Sequence, residues 1–385
     1  MGAALTHRLA GAALAAAVVL VAWLAPGEAR EPHAAPLIAG CTGAERIDFR
    51  CYELRYRAMT IARGPRVAIR DLDERARRVG FLRGACHQLM HGIGREAGRR
   101  SGLGAFGDGD NSCSSGFFHG VVEAVMRRAG AASLRRNASS VCAPFREREP
   151  RGMDHYNCVH GMGHGFMDVH GGDVFRSLAG CARLRSAWER HHCEGGVFME
   201  NLTSVSKPRR PPGHLRPERP LYPCTAVAAR HKHECYMKQT AYALFVRDND
   251  FGAVFRLCAR SPDVAFRPDC YQGLGGDAAI HASKYLTGAA ATRNATRALC
   301  RLGPGFAARR GCVVGAVTVI VRDGASQATG AVAFCRSLRD PRLRAACSRA
   351  HLETVQDLTS GSGARRAATA RGRPLRPALI CRFAD

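Results

Sequence analysis

Ten of the 17 cysteines fall into five tandem couples, Cys181/Cys193, Cys224/Cys235, Cys258/Cys270, Cys300/Cys312 and Cys335/Cys347. Eleven residues separate the members of four couples and ten those of the fifth. The second cysteines lie 42, 35, 42 and 35 residues apart, and Cys158 extends the series backwards by another 35. A fixed period in this range is the mark of stacked helical hairpins, each too small to bury its apolar face alone. A cysteine couple in every period suggests that each hairpin carries its own staple.

Local patterning agrees. An apolar helical stretch precedes the first cysteine of a couple, as in Val254, Phe255 and Leu257 before Cys258, and a helix breaker (Pro262, Pro304 or Pro341) follows within a few residues. The second cysteine opens the next apolar segment. Nearest-neighbour pairing adds Cys41–Cys51, Cys86–Cys113 and Cys142–Cys158 to the five couples and leaves Cys381 alone; spacing by itself does not fix this connectivity. Closing one such short loop contributes about 3 kcal/mol in the chain-entropy picture. Three residues after the second cysteine stands glycine in five of eight cases, Gly116, Gly161, Gly196, Gly273 and Gly315. Glycine inside a helix costs about 0.5–1 kcal/mol against alanine, so its recurrence implies close approach of neighbouring helix backbones.

In period, helix pairing and cysteine placement, residues 86–358 resemble the tetratricopeptide-like solenoids, especially their cysteine-rich secreted relatives. The resemblance implies an all-α, right-handed α-solenoid of disulfide-stapled hairpins, about 35–42 residues per repeat. The tetratricopeptide Trp, Leu-Gly and Tyr signature is absent, so no functional residue carries over.

Cysteine usage also bears on compartment. His7 and Arg8 precede an apolar run from Leu9 to Leu24, followed by small residues up to Ala29. This predicts a secretory signal over residues 1–29, with an uncleaved membrane anchor as the alternative. The expected location is therefore exported (periplasmic, extracellular or envelope-anchored), where disulfides persist. The net charge of +25 invites a nucleic-acid reading, but only four of the 57 basic residues are lysine and the arginines are scattered. Nucleic acid is not expected as a partner; an envelope protein or acidic polymer on the concave face is, and membrane contact only through the N-terminal anchor.

The chain divides into an N-terminal helical segment (30–85, helices around Glu53–Ala62 and Val67–Leu82), a histidine-rich block of irregular repeats (86–205), a Pro/Arg-rich loop (206–223), regular cysteine-stapled repeats (224–358) and a C-terminal tail (359–385).

The histidine-rich block carries the chemistry. Counted from the second cysteine, His119, His164 and Met199 share one register, and His91 joins with a one-residue shift. Glu123 and Asp168 follow one turn later. His87/His91 and His160/His164 have the i,i+4 spacing that puts both imidazoles on one helix face. Nitrogen donors with carboxylates nearby point to a metal: zinc, or copper in view of Met90, Met162 and Met199. Non-covalent haem between two histidines stays open. The expected ligands are His87, His91, His119, His160, His164, Glu123 and Asp168, with Met162, Met199 and Glu200 as pocket wall. Because helix axes stand about 8–10 Å apart, a flat array would let one ion reach only neighbouring pairs. Gly163 and Gly165 suggest that an aromatic such as Phe118, or a ligand, lies against that backbone. His191, His192, His231 and His233 read as solvated turn residues.

No zincin His-Glu-x2-His, nucleophile elbow, phosphate loop or dinucleotide fingerprint is present. The sequence thus favours an exported metal-binding repeat protein. A non-catalytic envelope scaffold with structural histidines is the first alternative, and a metal-dependent hydrolase or redox enzyme at the same pocket the second.

Overall fold

A computed structural model describes residues 41, 49–203, 214–286, 288–322 and 328–359, and among these every regular element is a helix. The expected signal sequence, residues 206–213 of the Pro/Arg-rich loop and the tail with Cys381 lie outside the described residues. Among the described residues three helices come first: α1 (Phe49–Arg63), α2 (Pro65–Arg78) and α3 (Gly80–Ser101). The helix expected over 67–82 is divided, because Val79 is extended (φ −113°, ψ 113°) and separates α2 from α3. Next come α4 (Gly116–Asn137), the short α5 (Ala143–Arg148) and α6 (Met153–Val169).

From there short and long helices alternate: α7 (Val174–Cys181) with α8 (Ala187–Thr203), α10 (Phe251–Ala259) with α11 (Arg267–Tyr285), α12 (Ala289–Arg301) with α13 (Gly305–Arg322), and α14 (Ala328–Arg336) with α15 (Pro341–Thr359). The helix α9 (Ala229–Val246) follows a run of turns instead of a short helix. Aspartate starts two of the short helices: Asp173 accepts from the Arg176 N–H at 3.0 Å and Asp250 from the Ala253 N–H at 2.9 Å. Each such cap contributes about 1 kcal/mol.

Eight disulfides join Cys41–Cys51, Cys86–Cys113, Cys142–Cys158, Cys181–Cys193, Cys224–Cys235, Cys258–Cys270, Cys300–Cys312 and Cys335–Cys347. In the regular couples the first cysteine ends a short helix or turn. The second sits one to two turns inside the long helix rather than at its start, since Cys270 and Cys312 follow Arg267 and Gly305 by several residues. The pair Cys86–Cys113 differs. It ties α3 to the turn before α4, with no separate α-helix between. Disulfides in this number fit an oxidising, exported environment. Among the described residues no helix is long and apolar enough to cross a membrane.

The recurrent glycines explain how the long helices meet. A Cβ placed on Gly116 would lie 2.5 Å from the His87 carbonyl oxygen, one on Gly196 2.0 Å from that of His160, and one on Gly315 1.8 Å from that of Gln272. Gly94 and Gly163 are met in the same way by the carbonyls of Phe117 (1.9 Å) and Cys193 (2.1 Å). Side chains are excluded from these crossings, so α3 presses backbone on backbone against α4, α6 against α8, and α11 against α13, while Gly161 of α6 lets that helix close on Val122 and His119 of α4. Gly163 therefore faces a helix backbone and Gly165 faces the Met126 sulfur, where Phe118 or a ligand was expected. The succession also bends back on itself: the Arg83 guanidinium of α3 donates to the carbonyl of Lys284 in α11 at 3.3 Å.

Candidate metal centre

Three consecutive long helices deliver five imidazoles to one place. His87 and His91 come from α3, His119 from α4, and His160 and His164 from α6. His91, His119, His160 and His164 are buried, while His87 keeps some exposure. One ring nitrogen from each of His87, His91, His119 and His164 lies within 4.8 Å of all the others. The ring centroids of His87 and His91 are 4.7 Å apart, those of His91 and His164 4.8 Å, and those of His119 and His164 5.0 Å. The separation anticipated for a flat array does not hold, because the glycine crossings let α3, α4 and α6 approach more closely than ordinary side chains allow.

The hydrogen bonds around the cluster settle which nitrogens face inward. His87 Nδ1–H donates to the Cys113 carbonyl at 2.9 Å. His91 Nδ1–H donates to Glu123 Oε1 at 2.6 Å, and His164 Nδ1–H to Glu200 Oε2 at 3.0 Å. The acceptors carry no proton of their own, so each Nδ1 holds the hydrogen and each Nε2 presents a lone pair. His91 Nε2 and His87 Nε2 then face each other at 3.1 Å. Two lone pairs at that distance repel unless a proton or a cation lies between them. His164 Nε2, His160 Nε2 and both nitrogens of His119 are buried without a hydrogen-bond partner. Each such atom costs about 1–3 kcal/mol if nothing satisfies it.

Burial, then the neighbouring His91, lowers the His87 imidazole to about 3. Burial also pushes His119 and His160 well below the ordinary imidazole range, helped by adjacent histidines. His87, His119 and His160 are therefore neutral at physiological pH, the state in which imidazole binds a metal.

Behind the imidazoles stands a second layer. Arg95 Nη1 donates to Glu123 Oε2 at 3.0 Å and Arg95 Nη2 to Glu53 Oε1 at 3.0 Å. Glu123 and Glu200 serve histidines of the preceding helix, α3 and α6 respectively, not a histidine of their own helix. Carboxylates that hold Nδ1–H fix ring orientation and raise the basicity of Nε2. They also place two negative charges beside a site that would hold a divalent ion, while Arg95 is offset by Glu53. On the far side of Arg95 a cavity of about 400 Å³ is lined by Arg50, Arg57, Arg95, Arg99, Arg127 and Arg128 with Glu53 and Glu96.

Asp168 stands apart from this arrangement. Lying one turn further along α6 than His164, it pairs at 2.7 Å with Arg127 of α4, and so is engaged by an arginine rather than by an imidazole. Met162 is buried and Met199 half-buried beside Glu200. Glu200 has a more direct part than pocket wall, since it holds His164. Arg95 and Glu53 went unnoticed in the sequence, where nothing in their spacing distinguishes them from other charged residues. His191 and His233 lie within α8 and α9 rather than in turns, and His231 is buried at 2.9 Å from Glu194.

No family model, curated protein or solved structure matches this chain.

Proposed function

We propose that this is an exported metal-binding protein: a right-handed α-solenoid of disulfide-stapled hairpins whose N-terminal half holds one divalent ion, zinc by preference, among His87, His91, His119 and His164. The observation that carries this reading is the convergence of bare Nε2 lone pairs. Tetrahedral zinc with Zn–N of 2.0–2.1 Å sets its nitrogens about 3.3–3.4 Å apart. The His87–His91 separation of 3.1 Å is close to that, and the other donors need only sub-ångström to ångström rotations. Nitrogen donors backed by carboxylates suit zinc better than copper(I), which would favour the thioethers nearby.

Four imidazoles complete a tetrahedral shell and leave no open position, which fits holding an ion rather than activating water. His160, stacked on Tyr156 and tilted against His119, would stand beside this shell as a spare donor. Alternatively the protein is an envelope scaffold for an acidic partner. One observation favours that second reading, the arginine-lined cavity behind Arg95.

Metal analysis of protein purified without a histidine tag tests the choice. One tightly held ion per chain, lost in the His119→Ala/His164→Ala variant, supports the metal reading. Substoichiometric metal unchanged by that variant overturns it.

A further inference from the structure

Outside the buried cluster, α8 and α9 bring together a second set of donors. His191 Nε2 lies 3.1 Å from Glu234 Oε1, and His233 Nε2 lies 3.7 Å from the same oxygen. One atom from each of His191, His233 and Glu234 falls within 4.8 Å of the others. The His233 ring is held from behind: its Nδ1 is 3.1 Å from Asp269 Oδ1, on α11. That is the device already seen at His91 and His164, in which a carboxylate of the following long helix grips Nδ1 and leaves Nε2 to face the site. The imidazoles of His191 and His233 stack with centroids 5.5 Å apart, so both rings border one space.

We propose that His191, His233 and Glu234 form a second, solvent-facing site for a divalent transition-metal ion such as zinc, with Asp269 as its positioning residue. Two imidazole nitrogens and a carboxylate oxygen are a three-ligand zinc set, and the fourth position is left to water or to an anionic donor from outside. The side chains of His191 and His233 are 44 % and 45 % exposed, whereas Glu234 is 13 % exposed. An ion here is thus reachable from solvent, in contrast to one enclosed by His91, His119 and His164. The outer site shares no ligand with the buried one.

The test is a titration of metal-free, untagged full-length protein with Co²⁺, followed by its absorption bands, and with Zn²⁺ in competition with a chromophoric chelator. The wild type is expected to take up two ions, the outer one exchanging with chelator at least tenfold faster. His191→Ala/His233→Ala should remove the faster-exchanging ion and retain the other. Asp269→Asn should weaken the outer ion about tenfold or more, since loss of such a partner costs 10–100-fold in affinity. These partly exposed side chains can be exchanged without disturbing the core. Uptake by His191→Ala/His233→Ala equal to the wild type overturns the proposal. A wild type that binds one ion, abolished by His191→Ala/His233→Ala but not by His119→Ala/His164→Ala, upholds the outer site and refutes the buried one.

Discussion

The helices α3 to α8 and the helices α9 to α15 are built by the same rule and end in different chemistry. In both, a glycine three residues past a cysteine lets one long helix press on the carbonyls of the one before, as Gly116 does on His87 and Gly315 on Gln272. Six residues past the cysteine, where the first region carries His119 and His164, the second carries Ala241, Gly276, Thr318 and Glu353. Thr318 satisfies itself by donating to the Val314 carbonyl at 3.0 Å, whereas His119 has no partner for either nitrogen. The crossing is a general packing device. Only where imidazoles occupy the register does it become a cage of donors.

The comparison breaks most sharply at the imidazoles themselves. The His119→Ala/His164→Ala variant should lose the buried ion altogether, measured as metal per chain, while far-ultraviolet circular dichroism stays helical. If the ion survives, the two regions do not differ in the way described. A smaller effect is expected one layer out. Glu123→Gln or Glu200→Gln should weaken the buried ion about 10–100-fold, read by chelator competition. Neither change should alter the stability of the metal-free protein as much as it alters metal affinity; the reverse would make these carboxylates structural.

Glycine substitutions sharpen what the regions share. Gly94→Ala and Gly275→Ala each drive a methyl to 1.9 Å from a carbonyl oxygen. Both should destabilise by at least about 1–3 kcal/mol in denaturant unfolding, the usual range for overpacking. Only Gly94→Ala should also impair metal retention, and equal impairment by both would argue that the fold responds as one unit.

Acid provides the mildest probe. His87 is lowered to about 3 from an ordinary 6.5, and His119 and His160 are lowered too, all mainly by burial. As pH falls below about 6.5 the unfolded chain takes up protons that the folded one refuses. The metal-free protein should therefore keep its full stability above that pH and lose it as pH falls, by about 1.4 kcal/mol per pH unit for each such imidazole. Unfolding midpoints at pH 7.5 and 5 measure this, and a midpoint higher at pH 5 would contradict the neutral state of these three buried imidazoles.

Much of this was legible beforehand at particular residues. The cysteine period marked the helix pairs, and the register from Cys113 and Cys158 singled out His119 and His164. What failed did so for a common reason. Asp168 shares the register of Glu123, yet Glu123 turns to His91 while Asp168 meets Arg127. Register places a residue along its own helix but not against the next one. The part of Glu200, expected only as pocket wall, and those of Arg95 and Asp269 escape the sequence for the same cause, since each acts on a residue of another helix.

By itself, then, the sequence determined an all-helical chain of stapled hairpins with histidines in register only in its first half, because periodicity, helix breakers and cysteine spacing are local properties. The tertiary structure alone decided that three helices approach closely enough for imidazoles to converge, which nitrogen each one presents, and which carboxylate stands behind it. Those outcomes depend on backbone crossings at Gly94, Gly116, Gly120 and Gly163 and on side chains contributed by different helices. No local pattern encodes a distance between two helices that fold against each other.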